Sequence, residues 1–245
     1  MVVLREATVT DNHEKTKREK HFDLLTQSVR DVNQFLHHQL PASEIERIEI
    51  ANPNGLHSIA AGMDQDVVID ILGHAGYFIA GMNKQAHVTV HGNVGWSVAE
   101  NIMSGTVRVK GHASESAGAS GQGGLVIIEG DASSRCGISM KGCDLVVGGS
   151  VGHFSAFMAQ AGTLVVCGDA GPNLGDSLYE ATIYVRGKID SLGADAQEEE
   201  MQAADIAKVE QLMAAADMEG DASGFKRIAS ARSLYHWNSE DPQEY

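Results

Sequence analysis

Glycine recurs in one phase of a 19-residue period, and this period constrains the fold of the chain more than any other feature. Seven successive glycines keep the spacing without a gap, which makes coincidence a poor explanation. They are Gly73, Gly92, Gly111, Gly130, Gly149, Gly168 and Gly187. Self-similarity at a fixed period of this length is typical of repeat architectures, in which one structural unit stacks on the next.

The residues before each glycine have the pattern of a β-strand. The positions four and two residues before it are always Ile, Val or Leu, whereas the position between them varies. This alternation is typical of a strand with one buried face, and β-branched side chains suit such a strand. The two apolar columns are Ile69, Val88, Val107, Val126, Leu145, Leu164 and Ile183, and Ile71, Val90, Val109, Ile128, Val147, Val166 and Val185.

These strands have to stack on one another as successive coils of the chain. A strand of about five residues in so short a unit leaves no room for an ordinary crossover helix. We therefore predict an all-β core, a right-handed single-stranded parallel β-helix of about seven coils, roughly 34 Å long. A column of small residues is expected at an inward or corner position: Ala80, Ala99, Gly118, Gly137, Ala156 and Gly175.

Helical segments are predicted at both ends of the solenoid, where unpaired strand edges need caps. Residues 1–47 are predicted to form a helical N-terminal cap, residues 48–190 the β-helix, and residues 191–245 a helical, acidic C-terminal extension. Apolar residues recur at helical spacing before Pro41: Phe22, Leu25, Val29, Val32 and Leu36. A second helix is expected from Ala194 to Met218, and the basic, aromatic segment 225–238 is expected to pack back on the solenoid or on a partner.

The composition argues against several functional classes. With 18 Lys+Arg against 33 Asp+Glu, the formal charge of -15 disfavours a nucleic-acid or polybasic membrane surface. No long apolar run follows the first basic residues, so the sequence predicts neither a signal peptide nor a membrane anchor. Three cysteines without a CxxC pair fit a reducing compartment better than a disulfide framework or a zinc site. A cytoplasmic protein is expected.

Histidines are the main candidates for chemistry in the repeat. They are His57, His74, His87, His91, His112 and His153. His74 and His112 share one column but stand two coils apart, roughly 9 to 10 Å, which is too far to share one metal ion. Asn93, Asp131 and Asp169 occupy the same column, and we expect them to accept turn hydrogen bonds just after the glycine. Solvated or turn-capping roles are therefore favoured over metal binding and acid–base catalysis.

The cysteines and the densest glycine stretch are weaker candidates. Cys136, Cys143 and Cys167 lie in three different columns without a basic neighbour placed by the repeat, so we expect buried thiols. The stretch from Gly111 to Gly124 lacks the Lys-Ser/Thr ending and the following helix of a phosphate loop. We expect it to be the turn of one coil or an edge that touches a partner.

Several segments resemble a known family. Gly92-Asn93-Val94-Gly95, Gly149-Ser150-Val151-Gly152 and Gly168-Asp169-Ala170-Gly171 resemble the glycine repeat, GXGXG, of the C-terminal domain of the glutamate synthase large subunit. The flanks 50–57 and 230–236 look like those of free-standing members of this family. The resemblance implies a right-handed parallel β-helix that binds no cofactor, carries no catalytic residue and braces the catalytic domains.

Among free-standing members, the chain is most similar to the small subunit of the three-subunit N-methylglutamate synthases, the methylamine–glutamate N-methyltransferases. This implies a non-catalytic scaffold subunit of a glutamate-synthase-like, FMN-dependent complex that converts methylamine and L-glutamate to N-methyl-L-glutamate and ammonia. The implied partners are a class II amidotransferase-like subunit and an FMN-binding synthase-like subunit, which would hold FMN and any Fe–S cluster. No nucleic acid or membrane is expected as a partner.

No residue of this chain is accordingly predicted as catalytic, cofactor-binding or metal-ligating. The column from Gly73 to Gly187 is expected to be structural, because a Cβ would clash where the chain needs the conformational freedom of glycine.

Three alternatives remain open at this point. The first is the related β-helical subunit of formylmethanofuran dehydrogenase, although the long N-terminal segment and the ending SARSLYHW favour the glutamate synthase family. The second is the corresponding subunit of an ammonia-transferring glutamate synthase. The third is an independent solenoid that binds carbohydrate or self-assembles; against it, Trp96 and Trp237 are the only tryptophans and lie far apart in the sequence.

Overall fold

A single 11-stranded sheet runs through the computed structural model of the chain, which describes residues 18–233. The strands are β1 Glu19–Asp23, β2 Arg47–Ala51, β3 Val68–Leu72, β4 His87–Val90, β5 Thr106–Val109, β6 Leu125–Ile128, β7 Lys141–Val147, β8 Ala161–Val166, β9 Thr182–Val185, β10 Ala196–Glu199 and β11 Lys226–Ser230. Within this range the helices are α1 Val29–His38, α2 Ala203–Ala215 and the short 3₁₀ helices Leu40–Ala42 and Ala222–Gly224.

Strands β1 to β9 pair in parallel, each with the next along the chain, and β11 and β10 close the sheet in antiparallel fashion. From β3 to β9 the paired residues stand 19 positions apart, so that Ile71 pairs with Val90 and Val90 with Val109. The exception is the start of β7, where Lys141 pairs with Ala161 and the register shifts by one residue. Both predicted apolar columns are fully buried and form the core. The structure therefore confirms the parallel β-helix of about seven coils.

Two further columns complete each coil. Two residues after the glycine, a single residue bridges in parallel to the next coil, as Ala75 does to Val94. The predicted column of small residues is buried in the core and has a left-handed backbone, with φ of 50° at Ala80 and 66° at Gly175. A small side chain is required there because a buried left-handed turn leaves little space and penalises bulky residues.

The glycine column is required mainly by space. Gly73 has φ of +138°, whereas the six later glycines lie outside the left-handed region. A Cβ added to Gly92 would lie 2.6 to 2.8 Å from backbone atoms of Gly73 and His74. From Gly111 onward, each glycine N–H donates to the carbonyl of the glycine one coil before. The expectation that the column needs the conformational freedom of glycine is therefore wrong beyond Gly73: neighbouring coils approach too closely for a side chain.

The sheet continues into the N-terminal segment, whose described part, residues 18–47, is less helical than predicted; residues 1–17 of the predicted cap lie outside the described residues. β1 pairs with β2, and Phe22 stands opposite Ile50, so Phe22 belongs to a strand. The helix begins only after Ser28, whose hydroxyl accepts the backbone N–H of Asp31 while the Asp31 carboxylate accepts the backbone N–H of Ser28. This capping box outweighs the helical spacing of the earlier apolar residues. The helix ends before Pro41, as predicted.

Helix α1 covers the N-terminal end of the core. Val32 and Leu36 are buried on its inner side. Asn33 fixes the helix to the first coil, because its Nδ2 donates to the Ser58 carbonyl at 2.7 Å and its Oδ1 accepts the Ala60 N–H at 3.0 Å. The edge strand β1 carries Glu, Lys and His side chains, and charge of this kind discourages pairing with another chain.

The C-terminal segment is also only partly helical. The helix predicted from Ala194 to Met218 is shorter, because residues 196–199 pair as strand β10 with β11, which itself returns antiparallel to β9. Segment 226–230 thus packs back on the solenoid, as expected for this region. Trp237 and the rest of residues 234–245 lie outside the described residues.

Helix α2 packs on the outer face of the sheet. The outward strand column is polar in its first members, Asp70, Thr89 and Arg108, and then becomes Ile127, Val146, Val165 and Tyr184. The last four are buried together with Val209, Leu212 and Met213 of α2. The outer face is therefore apolar where the helix covers it. Between residues 18 and 233, the length and hydropathy of every helix fall short of what a membrane-spanning segment requires.

Candidate functional site

A continuous ladder of side chains follows the residue after each column glycine. His74 Nδ1 accepts the backbone N–H of Asn93, and Asn93 Oδ1 accepts that of His112, both at 2.9 Å. His112 Nδ1 then accepts the N–H of Asp131, again at 2.9 Å. Asp131, Ser150 and Asp169 continue the ladder to Lys188. The predicted hydrogen-bond role of this column is confirmed, with the difference that each bond joins two coils.

The ladder occupies one ring nitrogen of each of its two histidines. Nδ1 of His74 and of His112 accepts a backbone N–H of the next coil, so neither Nδ1 is available as a metal ligand or as a base while the ladder is intact. Asn93 lies between His74 and His112, which keeps them two coils apart as predicted. Among the described residues, no group of three His, Cys, Asp or Glu side chains is placed to hold a metal ion.

The other candidate histidines make separate contacts. His91 Nε2 lies 2.7 Å from Asp70 Oδ1, and Arg47 pairs with Oδ2 of the same carboxylate. His57 stacks on Tyr77 with ring centroids 3.7 Å apart, and its Nδ1 accepts the Tyr77 backbone N–H at 3.2 Å. The remaining two are His87, which lies 3.9 Å from Asp66, and His153, which meets the ring of Phe154 edge-on.

The three cysteines are buried free thiols, as expected from the sequence. Burial raises the pKa of Cys136 and of Cys143 to about 12. Burial also raises the pKa of Cys167, although Arg186 acts in the opposite direction. A raised pKa leaves little thiolate at neutral pH, so none of the three is activated as a nucleophile.

One cleft of about 440 Å³ lies where the end of α2 meets the outer face of the sheet. Its lining includes Arg108, Lys110 and Glu129, and we call it the ionic cleft. The Glu129 carboxylate accepts hydrogen bonds from Arg108 at 2.8 Å and from Lys110 at 2.7 Å. Burial alone would raise the pKa of Glu129, but the hydrogen bonds from Lys110 and Arg108 hold it below its usual value. Arg108 also reaches Asp217, so its charge is used to fix the C-terminal segment.

A second cleft, of about 690 Å³, is lined by aromatic rings. We call it the aromatic cleft and define it by His57, Tyr77, Trp96 and the serines Ser97 and Ser114. The side chains of Tyr77 and Trp96 are exposed, and they stand 19 positions apart in one column. Its lining contains no Asp, Glu, Lys or Arg among the described residues.

Neither cleft fits FMN, the cofactor that the family resemblance implies for the complex. A flavin phosphate needs unpaired cations or free N–H groups. In the ionic cleft, Arg108 and Lys110 are already paired with Glu129, and the nearby Asp217 and Glu219 would repel an anion. The third cation of the lining, Arg186, donates its Nε to the Cys167 carbonyl and lies over the ring of Phe225. The aromatic cleft offers rings but no cation for the phosphate. The ionic cleft fixes the chain's own C-terminal segment, and the aromatic cleft presents an exposed apolar surface.

Two features were not predicted from the sequence, although a column of the repeat indicates each of them. The aromatic cleft was missed because Trp96 was compared only with Trp237, whereas its column partner is Tyr77, one period earlier. The docking of α2 was missed because the outward column was treated as variable. Its change from polar residues to Ile127 and its successors marks the covered area.

Comparison with known proteins gives one clear relative. No protein-family model matches the chain. Protein GlxC of Rhizobium meliloti (strain 1021) is 51% identical to it over 224 residues, which cover 91% of this chain and 98% of that protein. The two chains therefore match along nearly their whole length.

Proposed function

The chain belongs to the same family as protein GlxC, and from this premise we propose that it is the non-catalytic scaffold subunit of a glutamate-synthase-like, FMN-dependent complex. The complex is most consistent with an N-methylglutamate synthase, which converts methylamine and L-glutamate to N-methyl-L-glutamate and ammonia. The glycine repeat that resembles glutamate synthase supports the class of complex. The substrate is that of the family members whose flanking segments residues 50–57 and 230–236 resemble.

The observation that carries the scaffold role is the polar ladder. Chemistry in a β-helix would need free acids, bases or nucleophiles along one face of the coils. The column with the most such groups uses them instead to join neighbouring coils, as His74 and His112 do through Nδ1. The cysteine thiols are buried and so are not available to a substrate. The side chains therefore favour rigidity over reaction.

The proposal assigns the chemistry to other chains. A class II amidotransferase-like subunit and an FMN-binding synthase-like subunit are the partners, and the second holds FMN together with any Fe–S cluster. The poor fit of FMN to both clefts of this chain supports that division. We place the complex in the cytoplasm, in accordance with the three free, buried cysteines.

The test is purification of the tagged full-length chain from its native host, followed by identification of the bound chains and an absorbance spectrum. We expect an amidotransferase-like chain and a yellow, flavin-containing chain, and a complex that forms N-methylglutamate from methylamine and glutamate. Ammonia in place of methylamine is the control substrate. A chain recovered alone and colourless would contradict the proposal.

A single substitution tests the non-catalytic role. His112→Ala removes one acceptor of the ladder, and we expect the assembled enzyme to keep its turnover within a few-fold. Thermal unfolding of the free chain should record the lost hydrogen bond. A loss of turnover beyond about a hundredfold, with assembly intact, would show that this chain takes part in the reaction.

A further inference from the structure

The exposed apolar side chains of the described residues are concentrated in one part of the chain. Every large hydrophobic side chain that is exposed between residues 18 and 233 belongs to segment 25–103, the N-terminal half. They are Leu25, Leu56, Leu72, Tyr77, Met82, Trp96 and Met103. The apolar outer face of the later coils is covered by α2 instead. Contiguous exposed apolar surface marks interaction sites, so the early coils are where a partner would dock.

The aromatic cleft is the best-formed feature of that region. Trp96 is 62% exposed and Tyr77 50% exposed, although Tyr and Trp usually bury most of their area. Tyr77 does not swing freely, because the ring of His57 stacks on it at an interplanar angle of 20°. Pre-oriented Trp and Tyr side chains in a cleft are typical of the centre of a protein interface.

The surroundings of the cleft indicate the charge of the partner. Residues 48–103 contain five Asp or Glu and one Lys or Arg, Lys84, which is paired with Asp64 at 2.8 Å. Asp70 is paired with Arg47, so among the described residues Glu49, Asp66 and Glu100 remain without a Lys or Arg partner. The ring faces of Tyr and Trp attract cations, and an acidic region adds to that attraction. The cation–π contacts within the described chain lie elsewhere, on Phe22, Phe35 and Phe225. Tyr77 and Trp96 are therefore left open to a cation from outside.

We propose that the aromatic cleft seats an arginine side chain from a basic segment of a partner protein chain. Arginine suits the site better than lysine, because its planar guanidinium stacks on aromatic rings and gives up hydration more readily. Its donors can meet the hydroxyls of Ser97 and Ser114, which line the same cleft. This inference rests on the proposed function, since the basic segment is taken to belong to one of the partner subunits.

The first experiment locates the occupant. A photoreactive benzoyl-phenylalanine replaces Phe78, an aromatic side chain that lines the cleft but is not among the groups proposed to hold the arginine, and the full-length chain is crosslinked in its native host. We expect a crosslink to a segment of a partner subunit that contains arginine. A crosslink to a segment without basic residues, to a second copy of this chain, or to nothing would overturn the inference.

The second experiment measures the energetic role of the rings in the reconstituted complex. We expect Trp96→Ala to weaken binding of that partner by about tenfold or more, and Trp96→Phe by much less. Met103→Ala is the matched control, because Met103 is an exposed apolar side chain outside the cleft lining. Replacing the crosslinked arginine by methionine should cost as much as Trp96→Ala, and the two changes together little more than either one. Full additivity would overturn the inference.

The outcomes separate this inference from the proposed function. A flavin-containing complex that assembles equally well with Trp96→Ala would leave the scaffold role standing and remove the arginine site. A partner that crosslinks through arginine but binds no FMN would do the reverse. Binding should also weaken several-fold when salt is raised from about 0.1 M to about 0.5 M, because exposed charge interactions are screened.

Discussion

Replacing Gly149 by alanine tests whether space or backbone conformation selects the glycine column. Gly149 lies outside the left-handed region, so alanine can adopt its backbone without strain. The added Cβ would stand 2.1 Å from Asp131 Oδ1 and 2.9 Å from the carbonyl carbon of Gly130, well inside normal contact. Overpacking of this kind costs about 1 to 3 kcal/mol. Restricting the unfolded chain returns about 0.4 to 1 kcal/mol, so we expect a net loss of about 1 kcal/mol.

The closest clash involves a side chain, and removing that side chain should relieve it. Asp131→Ala alone should cost about 1 kcal/mol, because Asp131 Oδ1 then no longer accepts the Ser150 N–H at 2.8 Å. In the double variant Gly149→Ala/Asp131→Ala, the remaining contact is the carbonyl carbon. We therefore expect the double variant to lose roughly 1 kcal/mol less than the sum of the single changes.

Gly92 provides the matched control. Its added Cβ would meet only backbone atoms, those of Gly73 and the nitrogen of His74, so no side-chain removal can help. We expect Gly92→Ala to cost more than Gly149→Ala, and Gly92→Ala/His74→Ala to be additive within about 0.5 kcal/mol. The assay is urea unfolding followed by circular dichroism. Additivity in the Gly149 pair, or a Gly92 variant as stable as the wild type, would refute the spatial argument.

Two further predictions concern titration. With pKa values of about 12, Cys136 and Cys143 hold a thiolate fraction of only about 10⁻⁴ at pH 8, so a thiol reagent should label them in native protein far more slowly than in denaturant, with Cys167 reacting first. Equal labelling rates would contradict their burial. Because the folded pKa of Glu129 lies below the ordinary 4.5, its ion pairs stabilise the fold above pH 4.5 and are lost as the pH falls through the folded value. Glu129→Gln should therefore cost roughly 1 kcal/mol at pH 7 and less at a pH below the folded pKa of Glu129, as measured by denaturant unfolding. A constant difference at both pH values would count against this assignment.

The coil architecture could be predicted from the sequence because its causes are local and periodic. The buried columns around Ile71 and Val90 and the small column around Ala80 repeat every 19 residues, and Ile71 and Val90 pair at that same offset. The clash of an added Cβ could also be predicted. That it arises from the approach of two coils, and not from a left-handed backbone, could not be, since the distance between the coils at Gly92 is a property of the stacked backbone.

The ends were predicted less well because there the pattern is not repeated. Phe22 fits a helical spacing and also the alternation of a strand, and only the capping box at Ser28 decides where the helix begins. At the other end, residues 196–199 are polar enough to read as helix, yet they pair with β11, a strand that arrives 30 residues later. The aromatic cleft required comparison of Tyr77 with Trp96 one period away rather than of residues near in sequence.

The solenoid has two kinds of outer surface, and the difference predicts how substitutions will act. Where the outward column is apolar, from Ile127 to Tyr184, the chain's own helix α2 completes the core, and Tyr184 donates its hydroxyl to Asp205 at 2.6 Å. Changes there remove internal packing and should lower stability. In segment 25–103 the Trp96 side chain is 62% exposed, so its removal should change stability little and weaken assembly. A scaffold subunit needs both surfaces, because a rigid body is useful to a complex only where it also offers a place to bind.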